Sequence, residues 1–280
     1  MTTSRIVEEE QAQTFLQWVN NATTIEEARK ASTAEIIRAN YLAIAVTEYG
    51  SFGYGPTTDG NFVPDPPNVL LRNGRFDQSV RLLVLKSANE GYGFASPAIA
   101  NDTAFERYVL GAFPGLAVSP ETLKYIVSEL YPPVFDGSQA LGYKTPYERT
   151  AAFLTEAFFT CNVAYLADAL PFNTWASDFV ISPSLHESEA TYTLYAGDYS
   201  NASRIDGNSS SLSTEQIAYV VQGYLSRFAQ FGNPNGDDAP YWPIYGKNAT
   251  AQVVNTTGFT TARESSANPR CEWWSQGLFY

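Results

Sequence analysis

The 280-residue chain contains one histidine, His186, within Pro183-Ser184-Leu185-His186-Glu187-Ser188-Glu189. An imidazole, with an ordinary pKa near 6.5, is well suited to taking and returning a proton at neutral pH. A lone histidine is more often structural or merely exposed, so its chemistry depends on what faces it. The acid that would orient it is Glu90, in the loop Ser87-Ala88-Asn89-Glu90-Gly91. That loop directly follows the apolar run Val80-Arg81-Leu82-Leu83-Val84-Leu85-Lys86. In α/β sheets functional groups gather beyond the carboxyl ends of the strands, although a glutamate in a glycine-flanked turn can also be only a solvated loop residue. The order of acid and then histidine, each behind a strand candidate, matches the last two members of a triad whose nucleophile comes first. The nucleophile has no candidate: Gly-x-Ser-x-Gly is absent, and Ser51 in Gly50-Ser51-Phe52-Gly53 has the wrong spacing. A Gly-Gly oxyanion segment is absent as well.

The elements that must position these groups are legible in outline. Residues 8 to 46 read as helical, and 50 to 77 as a loop rich in Gly, Pro, Asp and Asn. The nearly continuous apolar character of Val80 to Lys86 predicts a strand covered on both faces. Asp178-Phe179-Val180-Ile181 is a second buried-strand candidate, and Gln252-Val253-Val254 a short third. Ser119-Pro120 reads as an N-cap with proline at the first helical position. Thr145-Pro146-Tyr147-Glu148 opens a helix running through Cys161, and Ser213-Thr214-Glu215-Gln216 opens one ending at Gly232-Asn233-Pro234; both carry a capping box. Helices between separated buried strands predict an α/β sheet, and no linker divides the chain into two domains.

Composition narrows the setting. The formal net charge is -12 with a pI near 4.5, a surface that repels phosphate backbones and anionic lipid, so neither nucleic acid nor membrane is expected as a partner. No run approaches the roughly 18 apolar residues of a transmembrane helix. Six Asn-x-Ser/Thr sequons, at Asn21, Asn101, Asn201, Asn208, Asn248 and Asn255, point to the secretory pathway. Met1 to Gln13 is polar and acidic, with no signal-peptide core, which leads to the expectation that a secreted parent is truncated at its start. The two cysteines, Cys161 and Cys271, are either two free thiols or, in an oxidising compartment, one disulfide.

Set in order, several segments resemble type-B carboxylesterases, the family of fungal lipases and cholinesterases. They are Asp59-Gly60-Asn61-Phe62-Val63-Pro64, Asn68 to Phe76, Lys86 to Gly91, Leu185-His186 with Glu189, Phe231-Gly232-Asn233-Pro234-Asn235, Trp242-Pro243 with Tyr245, and Arg270-Cys271-Glu272-Trp273-Trp274. The likeness runs from about residue 14 to residue 276 and covers the C-terminal half of the family's sequence. It implies the C-terminal half of an α/β-hydrolase fold with an incomplete central sheet, forming one partial domain over residues 1 to 280. It also implies a serine ester hydrolase in which Glu90 is the triad acid and His186 the base, with a bridge between segments like those of Cys161 and Cys271. That mechanism calls for no metal or organic cofactor, and its substrate is a small-molecule or lipid ester. Three departures stand out. Glu187 replaces a glycine common after the histidine, a cysteine pair usual near the start of this region is missing between Ala28 and Ser32, and the nucleophile and oxyanion segments lie upstream in the family. The chain is therefore expected to be inactive alone. The alternative is a non-catalytic secreted binding or adhesion relative on the same fold; a glycosidase using Glu90 and Glu189 ranks below both, because nothing in the spacing selects that pair.

Overall fold

The computed structural model describes residues 5–47, 49–50, 53–197 and 211–279. Ser51 and the sequon residues Asn201 and Asn208 lie outside the described residues. Along the chain the elements are α1 (Arg5–Trp18), α2 (Ile25–Ala28), α3 (Thr33–Ala45), α4 (Pro67–Arg72), β1 (Leu82–Ser87), α5 (Asp102–Ala112) and α6 (Pro120–Tyr125). There follow α7 (Pro146–Leu154), α8 (Cys161–Ala169), β2 (Thr174–Phe179), α9 (Ala190–Thr193), α10 (Thr214–Phe231), β3 (Thr250–Asn255), β4 (Gly258–Arg263) and α11 (Pro269–Trp274). No helix among the described residues is long and apolar enough to cross a membrane. Contacts group the chain into two compact units: one from Phe94–Arg149 with the two ends of the chain, the other from Leu70–Gly93 and Thr150–Gln276.

In the first unit α1 packs on α3, and Leu16, Val19, Ala28 and Ala39 form a core cluster that α2 shares. A capping box that the sequence reading does not single out starts α3: Ser32 Oγ accepts from the Glu35 N–H, and Glu35 Oε2 accepts from the Ser32 N–H at 2.7 Å. Arg149 is buried here. It donates to the carbonyls of Tyr131 and Val127, pairs with Asp102 at 2.7 Å and lies 4.0 Å above the Phe105 ring. Each guanidinium nitrogen thus has a partner, which is the condition for burying it.

The second unit is a three-layer sandwich. Its sheet has the order β1-β2-β3-β4; β1, β2 and β3 are parallel and β4 is antiparallel. Alternate residues face opposite layers. Leu85, Phe179 and Val254 meet Ile217 and Val221 of α10, whereas Val84, Ala176 and Ala251 meet Ala167 of α8. Helix α10 begins with the expected box of Ser213 and Gln216 and ends at Gly232, whose φ of 65° is the left-handed cap.

The strands depart from the sequence reading in position. β1 starts at Leu82 and forms one edge of the sheet; both of its faces are packed, Val84 toward α8 and Leu85 toward α10, but the open edge leaves Leu82 to Leu85 half-buried. β2 begins at Thr174, ahead of the apolar run that marked it, and is buried throughout. The helix from Pro146 does not run uniformly through Cys161: a π-helical turn, Thr155–Thr160, separates α7 from α8. At its start Glu148 caps the N–H of Lys144 rather than that of Thr145. Within the 50–77 loop, α4 begins at Pro67.

Candidate active site

β1 and β2 run in register from Leu82↔Thr174 to Ser87↔Phe179, so their carboxyl ends finish side by side. Beyond β1 the chain enters a 3-10 turn, Glu90–Gly93. Beyond β2 it passes a cis Ser182–Pro183 peptide into the histidine loop. Backbone hydrogen bonds join the two loops. The Asn89 N–H donates to the Ser184 carbonyl at 2.8 Å, the Ala88 N–H to Ser184 Oγ at 2.8 Å, and Asn89 Nδ2 to the Pro183 carbonyl at 2.8 Å. Ser184 itself is buried, and its hydroxyl donates to the Phe179 carbonyl at 2.5 Å. It adopts φ 52°, in the left-handed region that few non-glycine residues visit.

This seam brings Glu90 and His186 together. Glu90 is 5% exposed. Its Oε1 accepts from the Ser87 N–H at 2.6 Å, and its Oε2 lies 2.5 Å from His186 Nδ1. Each carboxylate oxygen therefore faces a nitrogen. The His186 side chain is 36% exposed, and the Phe159 ring lies against it at a centroid distance of 4.8 Å and a tilt of 46°. When Nδ1 carries the proton and donates it toward Glu90, Nε2 keeps its lone pair and can accept one. The departure at Glu187 has a backbone counterpart: φ there is 63°, a conformation glycine adopts at no steric cost.

A second polar cluster lies near the same ends of the strands. Lys86 is 3% exposed, and its Nζ lies 2.5 Å from Asp178, 2.8 Å from Glu264 and 2.6 Å from Ser265 Oγ. Burial pulls the ammonium pKa down, but the two carboxylates pull it up further, to a net value above that of ordinary lysine.

Cys161 and Cys271 form a disulfide with Cα atoms 4.9 Å apart, joining α8 to α11 across a sequence separation of 110. Beside it the Arg270 guanidinium grips Glu156 with both forks, at 2.8 and 2.7 Å. Of the sequon residues, Asn21, Asn101 and Asn248 are exposed and Asn255 is half-buried. Asn101 caps α5 through its Oδ1, accepting from the Ala104 N–H. Among the described residues no group of three or more His, Cys, Asp or Glu could hold a metal ion. Ser87, Ser184 and Phe159 were not singled out from the sequence; their neighbours become apparent only once the loops are placed.

The Carboxylesterase family model matches residues 4–274. Two fungal proteins named carboxylesterase patB resemble the chain. That of Penicillium expansum is 32% identical over 99% of this chain and 47% of its own length, and that of Aspergillus clavatus is 31% identical over the same shares. The chain therefore spans about half the length of the curated relatives it matches. Among solved structures, EstA of Aspergillus niger aligns with a TM-score of 0.74 at 22% identity, covering 98% of this chain and 56% of that one. A PNB esterase aligns at 0.65 and 20% identity, over 95% and 54% respectively. These neighbours share the α/β-hydrolase fold, of which the mixed four-stranded sheet with its flanking helices is a part. With the parallel strands, the loops at their carboxyl ends and the match along nearly its whole length taken together, the chain belongs to the carboxylesterase family.

Proposed function

We propose that this chain supplies the acid and the base of a serine carboxylic ester hydrolase, and that the nucleophile and oxyanion donors come from outside these 280 residues. The observation that carries the reading is the contact of His186 Nδ1 with Glu90 Oε2, at the carboxyl ends of adjacent parallel strands. In the reaction His186 takes the proton of a serine hydroxyl as that oxygen attacks the ester carbonyl, then returns it to the leaving alcohol. Glu90 holds the imidazole tautomer and stabilises the imidazolium without itself becoming protonated. The names of the relatives and the family membership support ester substrates; the sequons and the disulfide support a secreted parent.

The test has two arms. The purified chain, offered a short-chain nitrophenyl ester, is expected to show no turnover that depends on His186. Extended by a segment bearing Gly-x-Ser-x-Gly in frame, it is expected to turn over, and His186→Ala is expected to cut that rate by at least about a thousandfold. Robust turnover by the chain alone, abolished by His186→Ala, would refute the division of the site and place a nucleophilic serine within these residues.

A further inference from the structure

Ser87, the last residue of β1 and fully buried, makes two donations. Its backbone N–H goes to Glu90 Oε1 at 2.6 Å, and its hydroxyl to Glu189 Oε2 at 2.9 Å. Glu90 is the acid facing the imidazole, and Glu189 lies three residues beyond His186 on the opposite loop. On the other side of the histidine, two residues before it, Ser184 is tied to the acid loop through Ala88 and Asn89. The histidine thus sits on a short arch with both feet on the strand end that presents its acid. The arch is otherwise open: Leu185, His186 and Glu187 are exposed, and Glu187 takes a left-handed backbone. Downstream the loop runs into α9, which packs on α10 through Tyr192, so the Ser87–Glu189 bond ties the segment after the histidine to the acid's own strand.

We infer that Ser87 and Glu189 form a positioning pair for His186, in which the Ser87 hydroxyl, held by the Glu189 carboxylate, fixes the far side of the histidine loop and so keeps the imidazole on Glu90. A hydroxyl donating to an ionised carboxylate belongs to the stronger class of hydrogen bond, and the burial of Ser87 keeps water from replacing it. Neither residue is assigned any contact with substrate; both act through the ring. The inference rests on the acid–base reading of Glu90 and His186.

The single histidine makes the test unambiguous, because the chain has one imidazole to observe. Proton NMR is applied to the whole chain, at a concentration where light scattering reports one species. The wild type is expected to show one slowly exchanging, far-downfield ring N–H resonance. Glu90→Ala is expected to abolish it. Glu189→Ala and Ser87→Ala are expected to broaden it or to speed its exchange with water at least tenfold, with the far-ultraviolet circular dichroism unchanged. Glu189→Gln, whose amide oxygen still accepts the Ser87 hydroxyl, is expected to retain it. Loss in the Gln variant would overturn the hydrogen-bonding account. If Glu90→Ala abolishes the resonance while Glu189→Ala and Ser87→Ala leave it as in the wild type, the positioning pair falls and the Glu90–His186 pairing stands. If Glu90→Ala leaves it in place, the pairing falls and this inference with it. Should Ser87→Ala fail to fold, Glu189→Ala decides, because that side chain is only half-buried in a loop.

Discussion

Gly91, the residue after the acid, donates its N–H to Thr155 Oγ1 at 2.8 Å, and a Cβ there would lie 2.3 Å from the carbonyl oxygen of Ala151 and 2.5 Å from the Thr155 nitrogen. The acid turn and the π-helical turn meet at a distance only glycine allows. Gly91→Ala must push one backbone off the other, and overpacking of this kind costs about 1–3 kcal/mol. Chemical denaturation is the check, and unchanged stability would show that the π turn yields freely. The displacement should also move Glu90, so the ring N–H resonance of His186 is expected to shift with it.

Glu187 holds φ at 63° without being glycine. The left-handed conformation costs an ordinary residue about 1 kcal/mol or more, partly offset by the extra freedom glycine has when unfolded. Glu187→Gly is expected to leave stability unchanged or raise it by up to about 1 kcal/mol. Glu187→Val, β-branched in the same conformation, is expected to lower it. A ranking of Val above Gly in denaturant midpoints would contradict the backbone assignment.

Lys86 is the cation that bridges the two buried carboxylates of Asp178 and Glu264. Lys86→Met would leave these acids close together without it, and breaking a buried pair from one side costs about 3–5 kcal/mol. The expected outcome is a lower thermal midpoint, recovered in part by pairing Lys86→Met with Asp178→Asn. If the single variant melts like the wild type, the cluster contributes nothing to stability.

Alkaline pH should find the same weakness by another route. The Lys86 ammonium and the phenols of Tyr224 and Tyr245 all have pKa values raised on folding; burial is the leading cause for both tyrosines, and the neighbouring carboxylates raise Lys86. A group that holds its proton more tightly when folded contributes stability in full below its unfolded pKa. That contribution is lost as pH rises through the folded value. Unfolded tyrosine and lysine titrate near about 10 and 10.4, so the midpoint of thermal unfolding is expected to hold between pH 7 and 9 and to fall steeply above about pH 10. Tyr224→Phe should make that fall shallower. A midpoint insensitive to pH up to about 11 would rule the linkage out.

The edge position of β1 carries a prediction about association. Leu82 to Leu85 are apolar and half-buried, and only one side of the strand is paired among the described residues. An unpaired apolar edge is a template for further strands. The chain by itself is expected to associate with rising concentration in light scattering, and Leu82→Lys to reduce that association. A monodisperse monomer at every concentration would show that the edge is adequately shielded.

What is legible in the sequence is local. The Ser213–Gln216 box and the Gly232 cap specify α10 through chemistry confined to four residues at each end. The acid and histidine loops are legible because each follows a strand. The rest depends on partners distant in sequence. Thr174 and Ser177 hide the start of β2, since polar residues there are accommodated by burial in the middle of a sheet that the sequence does not display. β4 is missed for the opposite reason: most of its side chains face solvent, so Gly258 to Arg263 lacks an apolar pattern. Ser87 looks like any loop serine until Glu189, 102 residues away, is placed beside it.

The disulfide has a consequence for handling the protein. Cys161 and Cys271 enclose β2, the histidine loop, α10, β3 and β4 in one covalent ring. A single proteolytic nick inside that ring leaves the pieces joined, to run as one band until a thiol reductant parts them. Glu90 lies outside the ring and His186 inside it. A cut between Glu90 and Cys161 would therefore sever the direct chain connection between Glu90 and His186, leaving the β1–β2 pairing and the hydrogen-bonded seam between the two loops to hold the pair in place.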